Sequence, residues 1–275
     1  MDAPLACTVR ECHLPLRRQG PALACPRGHA FDVARQGYVS LVQPQHRRAR
    51  VPGDARASVE ARARLLAAGI GMTTLRHIVD LALRAAPARS PLVVADLGCG
   101  TGETLGLLAE ARPDVCGVGL DLSTAALSRA ARRVPGLTWV AANADLRLPL
   151  LDASTDVVLS IHGRRQASEC RRVLRQDGVL VVAVPAPDDL TELRARVQAE
   201  ARRTDRTTAV CQEMDPAFAL AARHAVRAVH TVGADALQDL LRATYRARRG
   251  QVDALGSGDI AVTLASDVLV FTPRA

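Results

Sequence analysis

The sequence contains no lysine; all 36 residues counted as Lys plus Arg are arginine. Together with the Ala-rich helical stretches, this reads as the codon bias of a GC-rich genome. An arginine at a given position is therefore weak evidence that its bidentate fork was selected there. No apolar run approaches the length of a membrane span, and MDAPLACTVR lacks the charged-then-apolar layout of a signal peptide. No internal repeat is visible, and no low-complexity segment beyond the Ala/Arg bias. The seven cysteines are odd in number and unevenly spaced, which does not fit a disulfide framework. These absences argue against a membrane-spanning protein or a secreted disulfide scaffold. The expectation is a soluble cytoplasmic protein with no membrane partner.

What is present bounds the rest. The chain has 275 residues, 48 % of them hydrophobic, enough for one large domain or a small module plus a larger domain. A net charge of +8 favours polyanions, nucleic acid first, although a basic balance alone fits many proteins. Cys99, Cys116, Cys170 and Cys211 lie in apolar or helical contexts and read as core thiols.

The other three cysteines crowd into the first 25 residues. Cys7, Cys12, Cys25 and His29 are spaced C-x4-C-x12-C-x3-H, two close pairs a dozen residues apart. Such pairs suit two metal-binding turns around one tetrahedral ion, and thiolates with an imidazole suit zinc. Pro26 and Gly28 permit the sharp bend that presents Cys25 and His29 together. His13 competes as a ligand but adjoins Cys12 and cannot easily point at the same ion. Loop cysteines without metal are the alternative. Four protein ligands close a site, so the ion would be structural or would serve docking, in effect replacing a core. Phe31, Val33, Tyr38, Val39 and Leu41 are expected to form a small hairpin over the metal turns. Residues 43–56, QPQHRRARVPGDAR, carry four arginines without apolar periodicity and read as a basic linker, an RNA-facing loop or a solvated connector. The expected organisation is a zinc-binding module at 1–42, a linker at 43–57 and a larger domain at 58–275.

The larger domain opens with two helical patterns, VEARARLLAAG ending at Gly69 and TLRHIVDLALRAA ending before Pro87. Leu92 to Leu97 is an apolar run broken only by Asp96, as in a strand buried on both faces. Gly98, Gly100 and Gly102 then make a turn, a helix follows, and a second apolar run ends in Asp121. Strand, glycine turn, helix, strand and acid build a nucleotide-type pocket, in which Asp121 can accept both hydroxyls of a ribose. The loop is G-x-G-x-G with an acid two positions before the first glycine, not the G-x-G-x-x-G of a dinucleotide site; an NAD-type pocket is the alternative. AVRAVHTV and IAVTLASDVLVFTP read as strands around a helix in ALQDLLRATYRAR. The alternation predicts an α/β fold with a doubly wound, mostly parallel sheet.

From about residue 90 to 185 this pattern resembles the class I (Rossmann-like) S-adenosylmethionine-dependent methyltransferases. The resemblance implies that Asp96, Gly98, Gly100, Thr101 and Gly102 hold the methionine portion. Asp121 would hold the ribose, and Asn143 or Asp145 in WVAANADLRLPL would reach the adenine. Over nearly the whole chain, CPRGHAFDVARQGYVSLVQPQ, the PGD segment, DLGCGTG and APDDLTELR resemble one family. That family is the bacterial 23S ribosomal RNA (guanine-N1)-methyltransferases, whose members use an N-terminal zinc module for RNA recognition. The implied partner is 23S rRNA, the implied cofactors are S-adenosylmethionine and structural zinc, and a homodimer is kept as a candidate assembly.

Three departures stand out. The first cysteine pair is wider than the family's. His162-Gly163-Arg164-Arg165 replaces a stretch with an apolar residue and a proline. RATYRARRG replaces a Met-x-Pro and tryptophan pattern, while Trp139 reads as core. His162 is the candidate catalytic residue: a base, a stacking partner for guanine, or a plain loop histidine. Arg164 and Arg165 bind phosphate or are surface charge, and Tyr245 is the better tyrosine for stacking on a base. Two other functions stay open, a small-molecule methyltransferase and a non-catalytic RNA-binding protein that retains the cofactor pocket.

Overall fold

The structure, a computed structural model, describes residues 3–43, 54–197, 205–244 and 258–274. Residues 44–53 of the basic segment, and Tyr245, lie outside the described residues. Four short strands open the chain: β1 (Arg17–Gln19), β2 (Ala22–Ala24), β3 (Ala30–Asp32) and β4 (Tyr38–Ser40). Helices α1 (Arg56–Ala67) and α2 (Met72–Ala85) follow, close to where their periodicity predicts them. Strands and helices then alternate through β5 (Leu92–Leu97), α3 (Glu103–Ala111), β6 (Val115–Asp121), α4 (Thr124–Arg133) and β7 (Thr138–Ala141). After β8 (Thr155–Ile161) come α5 (Ala167–Val173), β9 (Leu174–Pro185), α6 (Thr191–Val197) and α7 (Thr207–Met214). The chain ends in β10 (Phe218–Val232), α8 (Ala234–Thr244) and β11 (Ile260–Pro273). No single described helix is long and apolar enough to cross a membrane.

The large sheet has eight strands in the order β10-β11-β9-β8-β5-β6-β7-β4. Every neighbouring pair from β4 to β9 is parallel, and β11 alone runs antiparallel, between β9 and β10. All six residues of β5 are buried, as a strand covered on both faces requires. From β5 the chain winds outward to β6 and β7, then returns to β8 on the other side of β5. Open α/β sheets bind ligands outside the carboxyl ends of their strands at such a reversal.

The expected hairpin is reduced to a tight antiparallel turn, in which Ala34 N–H donates to the Tyr38 carbonyl at 2.7 Å. β1 to β3 make their own small antiparallel sheet, and a single bridge, Val33 to Val39, leads to β4. β4 then pairs in parallel with β7, Val39 opposite Val140. Burial explains the preference: Val39 and Leu41, each 3 % exposed, gain an existing apolar face that a three-residue hairpin cannot supply. The segment before β1 is stitched in as well, by Ala6 N–H to the Pro149 carbonyl and Leu151 N–H to the Pro4 carbonyl.

The core has three parts. On one face of the sheet, Ile78 and Val79 of α2 and Leu105 and Leu108 of α3 pack with Leu127 and Trp139. On the other face Leu97, Leu120 and Val140 pack with Cys170, Val173 and Met214, and also with Leu5, Leu16, Cys7, Cys12 and Cys25. The third part arises because β11 pairs with β9 only from Ser266 to Phe271, whereas its first residues pair with β10 alone. That projecting ribbon joins Leu65 of α1, Leu193 of α6 and Leu237, Leu240 and Leu241 of α8. It forms a roof beyond the carboxyl end of β9, with Arg64 of α1 bidentate to Asp239 of α8 at 2.7 and 2.6 Å.

Candidate active site and metal centre

The two cysteine turns converge as their spacing predicts. One ligand atom each from Cys7, Cys12, Cys25 and His29 lies within 4.8 Å of all the others. The separations are 3.7 Å for Cys12 Sγ to Cys25 Sγ, 3.4 Å for Cys25 Sγ to His29 Nδ1 and 3.5 Å for Cys7 Sγ to His29 Nδ1. A tetrahedral zinc with bonds of about 2.3 Å to sulfur and about 2.05 Å to nitrogen sets sulfur pairs about 3.8 Å apart and mixed pairs about 3.6 Å apart. The four residues therefore fit zinc in position and in donor chemistry. His13 is exposed and outside the cluster.

The glycine loop leaves β5 after Leu97. Gly98 N–H and Cys99 N–H both donate to the Leu120 carbonyl, at 2.8 and 3.0 Å, which ties the loop to β6. Gly100 N–H donates to Asp121 Oδ2 at 2.9 Å and Ser123 N–H to Oδ1 at 2.7 Å. Gly98 and Gly100 have φ of +77° and +54°; a Cβ on the first would face Gly163 at 3.6 Å and on the second the Arg62 guanidinium at 3.9 Å. Gly100 thus borders the open space over the loop, and Gly98 packs toward the turn after β8. Asp96 is 2 % exposed, and among the described residues nothing hydrogen-bonds to its carboxylate. Burial, then the charges of Asp121 and Glu103, push it up to about 7. Burial also raises Asp121 against the pull of its two amides. A buried acid without a partner beside a backbone cradle suits a cationic ligand that also carries a ribose, so these residues fit S-adenosylmethionine.

The remaining expected cofactor residues are placed less directly. Thr101 turns its hydroxyl to Glu103 at 2.7 Å, and Glu103 pairs with Arg133 at 3.2 Å. Asn143 Oδ1 accepts the Asp145 N–H at 2.9 Å, and the Asp145 carboxylate pairs with Arg164 at 2.8 Å. The turn after β7 is thereby tied to the loop after β8. Gly102 presses its Cα side against Trp139, where a Cβ would overlap the ring.

Three residues on the rim were not foreseen. Asp54, Arg62 and Ser123 line the space over the loop with Gly100, Thr101 and Asp121; its volume is about 10 Å³. Arg62 pairs with Asp54 at 2.9 Å and donates to the Ala243 carbonyl at 3.3 Å. A nucleoside ligand needs a few hundred Å³, on the order of 300 or more, so the space as it stands is smaller than such a ligand. Ser123 had a signal, since it caps α4 by accepting the Ala126 N–H at 3.4 Å. Arg62 and Asp54 arrive through the docking of α1, which periodicity does not encode.

His162 follows β8 with φ of +53°. Its N–H donates to the Ala183 carbonyl at 2.9 Å, and Nε2 lies 2.9 Å from Ser266 Oγ. A Cβ on Gly163 would sit 2.6 Å from the Leu97 carbonyl oxygen, so the turn is pressed against the end of β5. The His162 side chain is exposed to solvent. The protein around it, followed by the charges of Arg62 and Arg206, pushes its pKa down and keeps the ring neutral. Arg164 pairs with Asp145, and Arg165 with Glu213 at 2.8 Å, so both arginines are engaged within the protein.

A doubly wound sheet with one reversed strand, a glycine loop after its first central strand and an acid after the next defines a class I S-adenosylmethionine-dependent methyltransferase, here joined to a Cys3His cage. The family described as "Methyltransferase domain" matches residues 94–178, and that described as "RlmA, N-terminal" matches residues 6–50. The 23S rRNA (guanine(748)-N(1))-methyltransferase of Streptomyces fradiae is 35 % identical over 227 residues, covering 82 % of this chain and 80 % of the relative. YxjB of Bacillus subtilis (strain 168), provisionally assigned as a 23S rRNA (guanine-N1)-methyltransferase, is 32 % identical over 266 residues, 91 % of each chain. A Haloferax volcanii methyltransferase solved with the Trm112 methyltransferase activator shares the fold, with a TM-score of 0.53 at 18 % identity over 81 % of this chain and 99 % of that one. This chain belongs to the 23S rRNA (guanine-N1)-methyltransferase family.

Proposed function

We propose that the protein methylates N1 of a guanine in 23S ribosomal RNA, with S-adenosylmethionine as methyl donor and zinc as a structural ion. One observation carries this reading: similarity to a 23S rRNA guanine-N1 enzyme runs over 82 % of the chain.

The cofactor, when bound, supplies an electrophilic methyl group. The chain has to hold it, align the base and exclude water. Asp96 and the Gly98–Gly100 backbone hold the methionine end, Asp121 takes the ribose hydroxyls, and the turn at Asn143 and Asp145 borders the adenine. His162, neutral and anchored on Ser266, meets the target base by hydrogen bond or stacking. The base has to expose its Watson–Crick edge, so it lies in a hairpin loop or bulge. The protein works in the cytoplasm with its RNA, and a homodimer is the assembly to look for.

Incubation of the protein and S-adenosylmethionine with unmodified 23S rRNA, followed by primer extension, tests this directly. A methyl on N1 destroys the pairing edge, so one new stop at a guanine is expected. A clean transcript from protein shown to bind the cofactor removes the proposal.

A further inference from the structure

Guanine N1 carries a proton that has to leave before or during methyl transfer. His162 is a poor acceptor for it. Its ring sits near the guanidiniums of Arg62 and Arg206, and Nε2 is engaged with Ser266 at 2.9 Å. A second acceptor stands on the same rim. Asp189 lies in the loop after β9, at the sheet edge from which the glycine loop and the His162 turn also emerge.

That loop is fastened to the projecting part of β11. Ala186 N–H donates to the Ala265 carbonyl at 2.9 Å and Leu190 N–H to the Thr263 carbonyl at 2.7 Å. Glu192 accepts from the Thr263 hydroxyl at 2.7 Å, and Asp189 Oδ1 accepts the Ala265 N–H at 2.9 Å. Ala265 immediately precedes Ser266, so consecutive residues of one strand hold the carboxylate and the imidazole. Among the described residues Asp189 Oδ2 accepts no hydrogen bond. Burial pushes this carboxyl up to about 6, against the pull of the Ala265 amide, Arg194 and Arg206 and with a small push from Asp188. An acceptor of that strength is closer to a working pH than an ordinary carboxylate.

Guanine presents N1–H and N2–H as neighbouring donors, which one carboxylate can accept, whereas adenine presents an acceptor at N1 and would be repelled. We propose that Asp189 is the group that recognises the Watson–Crick edge of the target guanine and takes its N1 proton. The inference rests on the guanine-N1 reading above. In the step, the N1–H bond breaks toward Asp189 Oδ2 and the electron pair left on N1 forms the N–CH3 bond. The pair of the broken S–CH3 bond stays on sulfur, and the proton later leaves Asp189 for solvent.

The test is the full-length Asp189→Asn protein on unmodified 23S rRNA. The amide oxygen can still accept the Ala265 N–H, so cofactor affinity by calorimetry, RNA affinity by filter binding and the unfolding midpoint should stay near wild type. The turnover rate should fall about 10²- to 10⁴-fold, the range of a positioned acid or base. With S-adenosylmethionine saturating at every pH, so that the titration of Asp96 does not limit the rate, the wild-type turnover should rise with pH up to about 6 and then level. The charged groups that act on Asp189 are Asp188 on its own loop, which Arg227 of β10 holds at 2.7 Å, Arg194 of α6 and Arg206 at the start of α7; His162, held by the neighbouring Ser266, is the other group whose titration the test separates. Turnover within threefold of wild type in Asp189→Asn overturns the proposal. So does a wild-type profile without an acid limb, or a limb that vanishes in His162→Gln instead. If Asp189→Asn fails to fold, the wild-type and His162→Gln profiles still decide. Absence of any stop with wild type removes the guanine-N1 reading and this inference with it, whereas a wild-type stop that Asp189→Asn reproduces at full rate removes the inference alone.

Discussion

At Gly102 the need for glycine is a packing need. A Cβ there would lie 2.5 Å from the Trp139 ring, and one on Gly119 would meet the same ring at 2.5 Å. Of the three glycines in the loop, Gly100 borders the open space, Gly98 lies against the Gly163 backbone and Gly102 lets the loop rest on a buried indole. Gly102→Ala adds a backbone penalty at φ of +83° to that overlap and should cost about 3 kcal/mol. Gly20→Ala, at φ of +56° with nothing within 4 Å, should cost only about 1 kcal/mol. Denaturant midpoints of the two variants measure the difference; equal midpoints would mean that the ring moves freely. Asp96 poses the opposite case, a residue kept at a cost. Because burial raises its pKa to about 7, the folded chain holds that proton more tightly than the unfolded chain does. Its stabilising effect is complete below the ordinary carboxylate pKa and is lost as pH rises through the folded value. Asp96→Asn should therefore melt a few degrees above the ligand-free wild type at pH 8, with the gap closing toward pH 4, and should bind S-adenosylmethionine more weakly. Equal melting at pH 8 would show that the carboxylate finds partners when charged.

Among the elements, β5, α3 and β6 could be placed from the chain alone, because a doubly buried strand, a glycine turn and an acid follow one another without interruption. The cage ligands were equally legible, since short-range spacing dictates them. What periodicity could not show was pairing between distant segments. β4 leaves its neighbours for β7, α1 brings Arg62 and Asp54 over the glycine loop, and the β10–β11 ribbon carries Ser266 to His162. Each depends on which surface has apolar area to cover, and that is known only once the sheet exists. The same fact makes residues 1–42 hard to dispense with. Leu5, Leu16, Val39 and Leu41, each 3 % exposed, belong to the core on one face of the main sheet. Deleting them removes their burial and uncovers the face that holds Leu97, Leu120 and Val140; at about 2 kcal/mol per side chain the loss is as large as the net stability of many domains. A chain beginning at residue 43 should be insoluble or unfolded by circular dichroism. A truncated monomer that binds S-adenosylmethionine as the full chain does would show that the remaining sheet closes its own edge.

The cage and the cofactor site are two ends of one body. Cys7, Cys12 and Cys25 pack in the same cluster as Leu97 and Leu120, and these two residues flank the glycine loop through the Leu120 carbonyl that Gly98 and Cys99 share. A metal-built module hung on a linker would lose its ion without disturbing the methyltransferase fold. Here the ion fixes turns that form part of the wall of that fold. Binding of structural zinc in isolated fingers has an apparent free energy of about 10–16 kcal/mol, and binding to the native state alone is folding stability. Even a third of that, at about 2–4 °C per kcal/mol for a domain of this size, is a loss of about 7–20 °C. Removal of zinc with a strong chelator should therefore shift one cooperative melting transition downward, weaken S-adenosylmethionine binding in parallel, and leave both restored when zinc is returned. Cys25→Ser should reproduce the chelated state. Two separate transitions, with only the smaller one responding to zinc and cofactor affinity unchanged, would instead make the cage an independent RNA-facing unit whose contacts with the sheet carry little energy.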